Sequence, residues 1–330
     1  MKIFRFNEQR LPKINTGGKT MLEIQDYFLK DIIGIDSEKD IKVEDGEYYL
    51  VLYNDTPLVN PEFLQDIQEE CENLNIAYKI GDGYLAKAGT VREFKLCENP
   101  YAMQVMKYSD ISYVFAILKE YVLNKHINND IVIYDPNNTY IDLDVEIGKG
   151  SIIHPMVNLT GHTKIGKNVV IFSYTDLIDT IIGDDTDIRS TYALEAVVGN
   201  NCTLGPFTTL RKDANIGAYC RVGDYVEIKN SNIADNVKIA HLAYVGDSDV
   251  GEFTNVGCGS VFANYNGKDK NRCKIGSNVF IGANTNLVAP IVVNDNAFIA
   301  AGSTVTHDIP EGNFCIARSR QILKDKWERK

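Results

Sequence analysis

Arg211, Glu227, Lys229, His241, Tyr244, Asn255, Asn264, Tyr265 and Lys270 lie in one stretch of this 330-residue chain, and their types suit proton transfer beside a bound anion. Histidine titrates nearest neutrality, and a well-placed one contributes about 10²–10⁴-fold as a general base. His241 has cations, amides and a tyrosine for sequence neighbours, whereas His154, His162 and His307 read as ordinary surface residues. Two local basic patches stand out in a chain of net charge −11. The segment 263–274 carries Lys268, Lys270, Arg272 and Lys274 against Asp269; the segment from 318 onward carries Arg318, Arg320, Lys324, Lys326, Arg329 and Lys330 against Asp325 and Glu328. Guanidinium and ammonium groups gathered in this way suit phosphate, and coenzyme A, with its pyrophosphate and 3′-phosphate, fits such a patch.

The elements that must hold these side chains follow a six-residue period. Aliphatic residues recur at Ile141, Ile147, Ile153, Leu159, Ile165, Ile171 and Leu177, then at Ile182, Ile188 and Leu194 after a one-residue shortening. The series continues through Val198, Leu204, Leu210, Ile216, Val222 and Ile228, then Ile233, Ile239, Val245, Val250, Val256 and Phe262, and closes with Ile275, Ile281, Leu287, Val293, Ile299 and Val305. Such a period is neither helical nor a plain two-residue alternation; it predicts a parallel β-helix in which each hexapeptide makes one flat face of a triangular coil. The aliphatic side chains point inward and stack coil on coil, because no single coil can bury its own apolar edge. The largest break, between Phe262 and Ile275, predicts a loop leaving the tube beside the reactive cluster.

The first third is organised otherwise. Residues 2–6 and 48–53 read as strands, and 20–33 and 61–74 as helices, which predicts a small α/β domain. Residues 109–125 place Ile111, Val114, Phe115, Leu118 and Val122 on one helical face, predicting an amphipathic connector, and Asp135–Pro136–Asn137–Asn138 has turn chemistry. Seven cysteines (71, 97, 202, 220, 258, 273, 315) show no CxxC pairing and read as reduced, with Cys258 a small packing residue. The overall acidity speaks against nucleic acid or an anionic membrane as partner, and no run approaches the ~18 apolar residues of a membrane span, so a cytoplasmic location is expected.

The motifs GPFTTLR (205–211), VGDYVEIKNSNI (222–233), AHLAYVGD (240–247), NVGCGSVFANYNG (255–267), LVAP (287–290) and IAAGSTVT (299–306) resemble the acetyltransferase domain of the bifunctional glucosamine-1-phosphate N-acetyltransferase/N-acetylglucosamine-1-phosphate uridyltransferase family. The resemblance covers about residues 135–318. It implies a left-handed β-helix, an exception to the usual right-handed crossover, assembled as a homotrimer with active sites between subunits. It implies His241 as catalytic base, Glu227 and Asn264 as residues orienting the amine and the base, and Arg211 and Lys229 on the sugar phosphate. Tyr244 and Asn255 would bind the sugar. Cys258 would offer a backbone N–H to the oxyanion, and Tyr265, Lys270, Ala283, Ala301 and Arg318 would join it on acetyl-CoA. The family usually has alanine at Cys258 and a small hydroxyl residue at Ala283.

The amino-terminal resemblance is weaker. Lys13 matches the lysine of a uridyltransferase motif whose glycine-rich loop is missing, Asp55 matches a metal-binding aspartate, and the second metal ligand falls at Ser109. The expected organisation is therefore a degenerate, Rossmann-like nucleotidyltransferase remnant at 1–107, a linking helix and connector at 108–134, the left-handed β-helix at 135–310 and a basic tail at 311–330. Mg²⁺ has only the Asp55 remnant to hold it, no other metal site is expected, and uridyltransferase activity is expected to be lost. The leading function is acetyl transfer from acetyl-CoA to the amine of an amino-sugar 1-phosphate, most simply glucosamine-1-phosphate. The alternatives are another amino sugar or a nucleotide-linked one, a zinc hydrolase holding its metal through three histidines, and a non-catalytic sugar- or nucleotide-sensing trimer.

Overall fold

The computed structural model describes residues 2–6, 15–16, 19–29, 35–36, 45–53, 56–74, 76–81, 83–88 and 94–323, in two compact units, Met1–Asn124 and Lys125–Lys330. The second unit is a left-handed β-helix of hexapeptide repeats. Its short strands stack into three parallel sheets of ten, nine and eleven strands among the described residues, each sheet forming one face of a triangular tube. The register puts inward aliphatics directly over one another, as in Leu210↔Ile228 and Ile228↔Val245 on the ten-stranded face and Val222↔Ile239 and Ile239↔Val256 on the eleven-stranded face. These residues are buried, and each such aliphatic stabilises the tube by roughly 1.5–3 kcal/mol. Buried hydroxyls at the corners bond backbone instead of water. Thr208 Oγ1 donates to Gly223 O at 2.8 Å and Ser260 Oγ to Gly257 O at 2.7 Å, which pins the corner that carries the reactive residues.

One rung of the inferred period is corrected. Ala193, not Leu194, sits between Leu177 and Leu210 in the ladder and is fully buried, while Leu194 is only half-buried. Two successive faces here are each shortened by a residue, and strand pairing rather than side-chain bulk decides which residue points in. The ladder also reaches beyond 135–310: Val132–Ile133 pairs with Ile152–Ile153, and Phe314–Cys315 pairs with Phe298–Ile299. The turn at 135–138 is a 3₁₀ turn, Pro136–Asn138, whose N–H groups at Asn137 and Asn138 donate to the Asp135 carboxylate.

Among the described residues the first unit has a mixed six-stranded sheet with helices. Lys2–Phe6 runs parallel to Ile35–Asp36 and Tyr48–Tyr53, but Tyr48–Tyr53 is antiparallel to Gly83–Lys87, so the α/β domain is not purely parallel. The helix Pro61–Leu74 buries Phe63, Leu64, Ile67 and Cys71 against Leu50, Leu52 and Ile80. A third helix spans Tyr108–Ile127 and buries Val114, Leu118 and Val122, the face expected from spacing. Asp110 in its first turn accepts from the N–H groups of Met106 and Lys107, which holds its carboxyl below the usual range. Lys13 and Asp55 lie outside the described residues, as does the tail from Lys324.

Candidate active site

The corner where the eleven-stranded face turns into the ten-stranded face brings most of the candidates together. From Leu204 onward, an inward aliphatic at each coil is followed by a small residue and then by a corner residue. A β-carbon on Gly257 would come within 2.6 Å of Ala283 N, so the small residue is required by the coil above. The corner residues are Asp224, His241, Cys258, Ala283 and Ala301. Their stacking is fixed by backbone bonds: Leu242 N donates to Asp224 O at 3.1 Å, Gly259 N to His241 O at 2.8 Å, Asn284 N to Cys258 O at 2.7 Å and Gly302 N to Ala283 O at 2.8 Å. Arg318 extends the column, its Cδ lying 3.5 Å from where a β-carbon on Gly302 would be. With about 4.8 Å per coil, the column from His241 to Arg318 is roughly 19 Å long. The corner between the nine- and eleven-stranded faces differs in chemistry. There, carboxylates and amides of the next coil cover the exposed N–H groups: Lys167 and Asp184 donate to Asp184 and Asn200, and Ala218 and Ser277 to Asp235 and Asp295. At the candidate corner those positions hold Cys258, Ala283 and Ala301, whose N–H groups have no acceptor among the described residues.

His241 Nδ1 lies 2.6 Å from Asp224 Oδ1, the corner residue one coil earlier, and both side chains are partly open to solvent. Sequence reasoning passed over Asp224; the signal that could have found it is its place at the same point of the repeat as His241. Glu227, expected to orient amine and base, is engaged with Arg211 at 3.0 Å. Asn264, given the same role, is buried, with its Nδ2 donating to Asp247 Oδ2 and lying 3.4 Å from Tyr244 Oη. Asp247, also buried, takes a second bond from Asn230 Nδ2 at 2.5 Å. Gly246 makes this arrangement possible, because a β-carbon there would strike Tyr244 and Asn264.

Arg211, Lys229 and Lys270 form a cationic group on the ten-stranded face. Lys229 stands one coil above Arg211, and its ammonium is pushed below the usual lysine range, first by Lys270 beside it, then by desolvation and by Arg211, with Asp247 opposing. Like charges crowded in this way are relieved by a bound anion. The loop at the break of the period is a small hairpin with a bridge between Tyr265 and Lys270. Asn266 Oδ1 accepts from Lys268 N at 2.9 Å and Asp269 N at 2.7 Å, and Asn271 N donates to Asn264 O at 2.7 Å. The loop's cations do not all face outward for a ligand, as the count suggested. Arg272 makes a fork on Asp249 at 2.7 and 2.5 Å and also donates to the carbonyls of Asn230 and Ser248, anchoring the base of the loop, while Lys268 and Lys270 remain exposed.

Asn255 is not brought to Tyr244. It lies on the eleven-stranded face between Lys238 and Phe280, whereas Tyr244 is on the ten-stranded face. Cys258 is exposed and unpaired with other cysteines. The remaining surface histidines are scattered: His154 stacks on Phe172 and meets Tyr134 edge-on, at centroid distances of 4.7 and 5.0 Å, His162 lies 3.5 Å from Asp144, and His307 contacts Thr306. Among the described residues no group of three or more His, Cys, Asp or Glu is placed to hold a metal ion. No helix among them is long and apolar enough to cross a membrane.

The coil geometry is that of a hexapeptide-repeat β-helix, and residues 195–230 and 272–307 match the family model described as bacterial transferase hexapeptide (six repeats). More particularly, the chain is similar to the bifunctional protein GlmU. It is 46% identical to that of Clostridium kluyveri over 211 residues, 64% of this chain and 46% of the relative. It is 38% identical to that of Clostridium botulinum over 299 residues, 88% of this chain and 63% of the relative. The chain thus spans less than two thirds of the length of these relatives. Among solved structures, the UDP-N-acetylglucosamine acyltransferase from Campylobacter jejuni is similar over 56% of this chain and 70% of its own, with 22% identity and a TM-score of 0.42. The family resemblance expected from the motifs is borne out by the GlmU matches.

Proposed function

We propose that the chain transfers an acetyl group from acetyl-CoA to the amine of an amino-sugar 1-phosphate, most simply glucosamine-1-phosphate. The observation that carries this reading is the corner column, in which the unpaired Cys258 N–H stands one coil above His241 and the N–H groups of Ala283 and Ala301 continue the line. Acyl transfer needs a base for the nucleophile and a donor for the oxyanion, and these two groups supply them on adjacent coils. His241 takes a proton as the substrate nitrogen forms its bond to the thioester carbon. Collapse of the tetrahedral intermediate breaks the carbon–sulfur bond, and the proton passes from His241 to the leaving thiolate. Arg211 and Lys229 hold the sugar phosphate, which relieves the crowding of Lys229 by its neighbouring cations, and Lys270 beside them reaches acetyl-CoA. Carbonyl oxygens of the thioester's pantetheine arm accept from the line of N–H groups at the corner, with Arg318 toward its phosphates and Tyr265 on the facing loop.

Tyr244 and Asn255 stand on different faces that flank the corner. A sugar pocket that uses both takes one from each of two neighbouring copies, which supports a trimer with shared sites. Uridylyl transfer is outside the proposed activity: the second metal-ligand position is Ser109, whose Oγ lies 3.5 Å from Asp110 Oδ1 rather than offering an amide oxygen. The proposed setting is the cytoplasm, where acetyl-CoA is formed and consumed.

The test is thiol release from acetyl-CoA with a panel of amino-sugar phosphates. Replacing His241 by alanine is expected to lower turnover by about 10²–10⁴-fold without changing the oligomeric mass. Near-normal turnover in that variant would refute the assignment, and a panel silent on every 1-phosphate but active on a nucleotide-linked amino sugar would move the function to a later biosynthetic step.

A further inference from the structure

The corner at His241 is built differently from every neighbouring corner in its column. At the neighbouring corners the left-handed backbone conformation falls on one residue, as at Tyr225 (φ 54°), Gly259 (φ 66°), Asn284 (φ 55°) and Gly302 (φ 72°), or, at Gly205 (φ 84°) and Phe207 (φ 60°), on two residues separated by Pro206. At His241 and Leu242 it falls on two in succession, with φ of 58° and 61°. Neither residue is glycine, and each left-handed residue of this kind costs on the order of 1–2 kcal/mol, so the surrounding structure must hold the pair in place. The extra left-handed step occurs where an imidazole lies within hydrogen-bond distance of a carboxylate on the preceding coil, His241 Nδ1 to Asp224 Oδ1 at 2.6 Å. Asp224 is itself held, because its carbonyl accepts from Leu242 N at 3.1 Å, the residue after the histidine. One residue thus contacts both the ring and the backbone of the strained pair.

We propose that Asp224 is the positioning residue for His241: it accepts the Nδ1–H, fixes that tautomer, and leaves Nε2 unprotonated and free to receive the proton of the incoming amine. This rests on the acetyl-transfer reading for its catalytic consequence, but the tautomer itself does not. An imidazole without such a partner distributes its proton between both nitrogens and rotates about its side-chain bonds, so only a fraction of molecules present the correct lone pair. Arg211 and Glu227 satisfy each other, so neither competes for the ring. Asp224 contacts no reacting atom and acts through His241.

The experiment compares the full-length protein with Asp224→Ala and Asp224→Asn. In protein labelled with ¹⁵N-histidine, with the His241 signal assigned by its loss in His241→Gln, the wild type is expected to show a protonated Nδ1. Asp224→Ala is expected to give a mixture of tautomers. In the thiol-release assay, Asp224→Ala is expected to lower kcat by about 10–100-fold, part of the 10²–10⁴-fold available to a general base, with KM for both substrates within about twofold of wild type. Asp224→Asn, which keeps an acceptor but not the charge, is expected to fall between them. Identical tautomer populations in wild type and Asp224→Ala would overturn the proposal, as would a loss carried wholly in KM. Should wild type transfer no acetyl group to any amino-sugar phosphate, the functional reading fails, and the nitrogen spectra still decide the role of Asp224.

Discussion

Replacing Gly246 by alanine tests how tightly the proposed sugar-facing side of the site is specified. A β-carbon there would lie 2.7 Å from Asn264 Nδ2 and 2.7 Å from Tyr244 Cζ, with Tyr244 Oη closer still. Carbon contacts relax at about 3.5–4.0 Å, so both side chains must retreat by roughly 1 Å. The obstructing atoms are side-chain ends rather than backbone, so the strand Tyr244–Gly246 keeps its register. Overpacking of this kind costs about 1–3 kcal/mol, and removing a glycine returns about 0.4–1 kcal/mol through the unfolded chain. The net loss of stability is therefore between about 0 and about 2.6 kcal/mol. The catalytic effect is larger, because a displacement of about 1 Å among positioning groups lowers rate by on the order of 10²-fold. Thiol release measured across sugar-phosphate concentrations is expected to show that loss in kcat/KM, with the affinity for acetyl-CoA little changed. Adding Tyr244→Phe removes the hydroxyl that meets the new methyl, so the double variant is expected to recover stability relative to Gly246→Ala. A kcat/KM within about threefold of wild type would refute the placement of Tyr244 and Asn264 at the substrate. A collapse of the fold would refute the claim that only side-chain ends obstruct.

Two further outcomes follow from named contacts. Arg272→Met removes the fork on Asp249 together with the bonds to the Asn230 and Ser248 carbonyls. The pair is partly in water, so the expected stability loss is only about 1 kcal/mol, but amide exchange across residues 264–271 is expected to accelerate and KM for acetyl-CoA to rise, and unchanged exchange would show that the loop is held otherwise. His126 is buried with Nε2 unpartnered, and burial pushes its pKa from 6.5 down to about 4. The unfolded chain therefore binds the proton more readily between those values, and stability is full above about pH 6.5 and falls as pH drops toward 4. Denaturant titrations at about pH 8 and pH 5 are expected to differ by about 2 kcal/mol more in wild type than in His126→Leu, and equal differences would mean that His126 is solvated.

The chain's own pattern determined the tube, its inward residues and the address of the reactive cluster, because a six-residue period has one compact solution and stacking enforces it coil by coil. It also determined that the chain leaves the tube between Phe262 and Ile275, since the period stops there. It did not determine which residue points inward where two faces are shortened; pairing chose Ala193 over Leu194. It did not separate the cation that anchors the loop from those that remain open, because Arg272 reaches carbonyls and a carboxylate on coils distant in sequence. Nor did it show the partner of His241. Asp224 is one full coil away along the chain yet 2.6 Å away in space, a neighbour that exists only because the polypeptide closes a turn and returns to the same corner. Residue types and period are local properties and could be read along the chain; who faces whom across a coil is set by closure of the tube, and only the tertiary structure decides it.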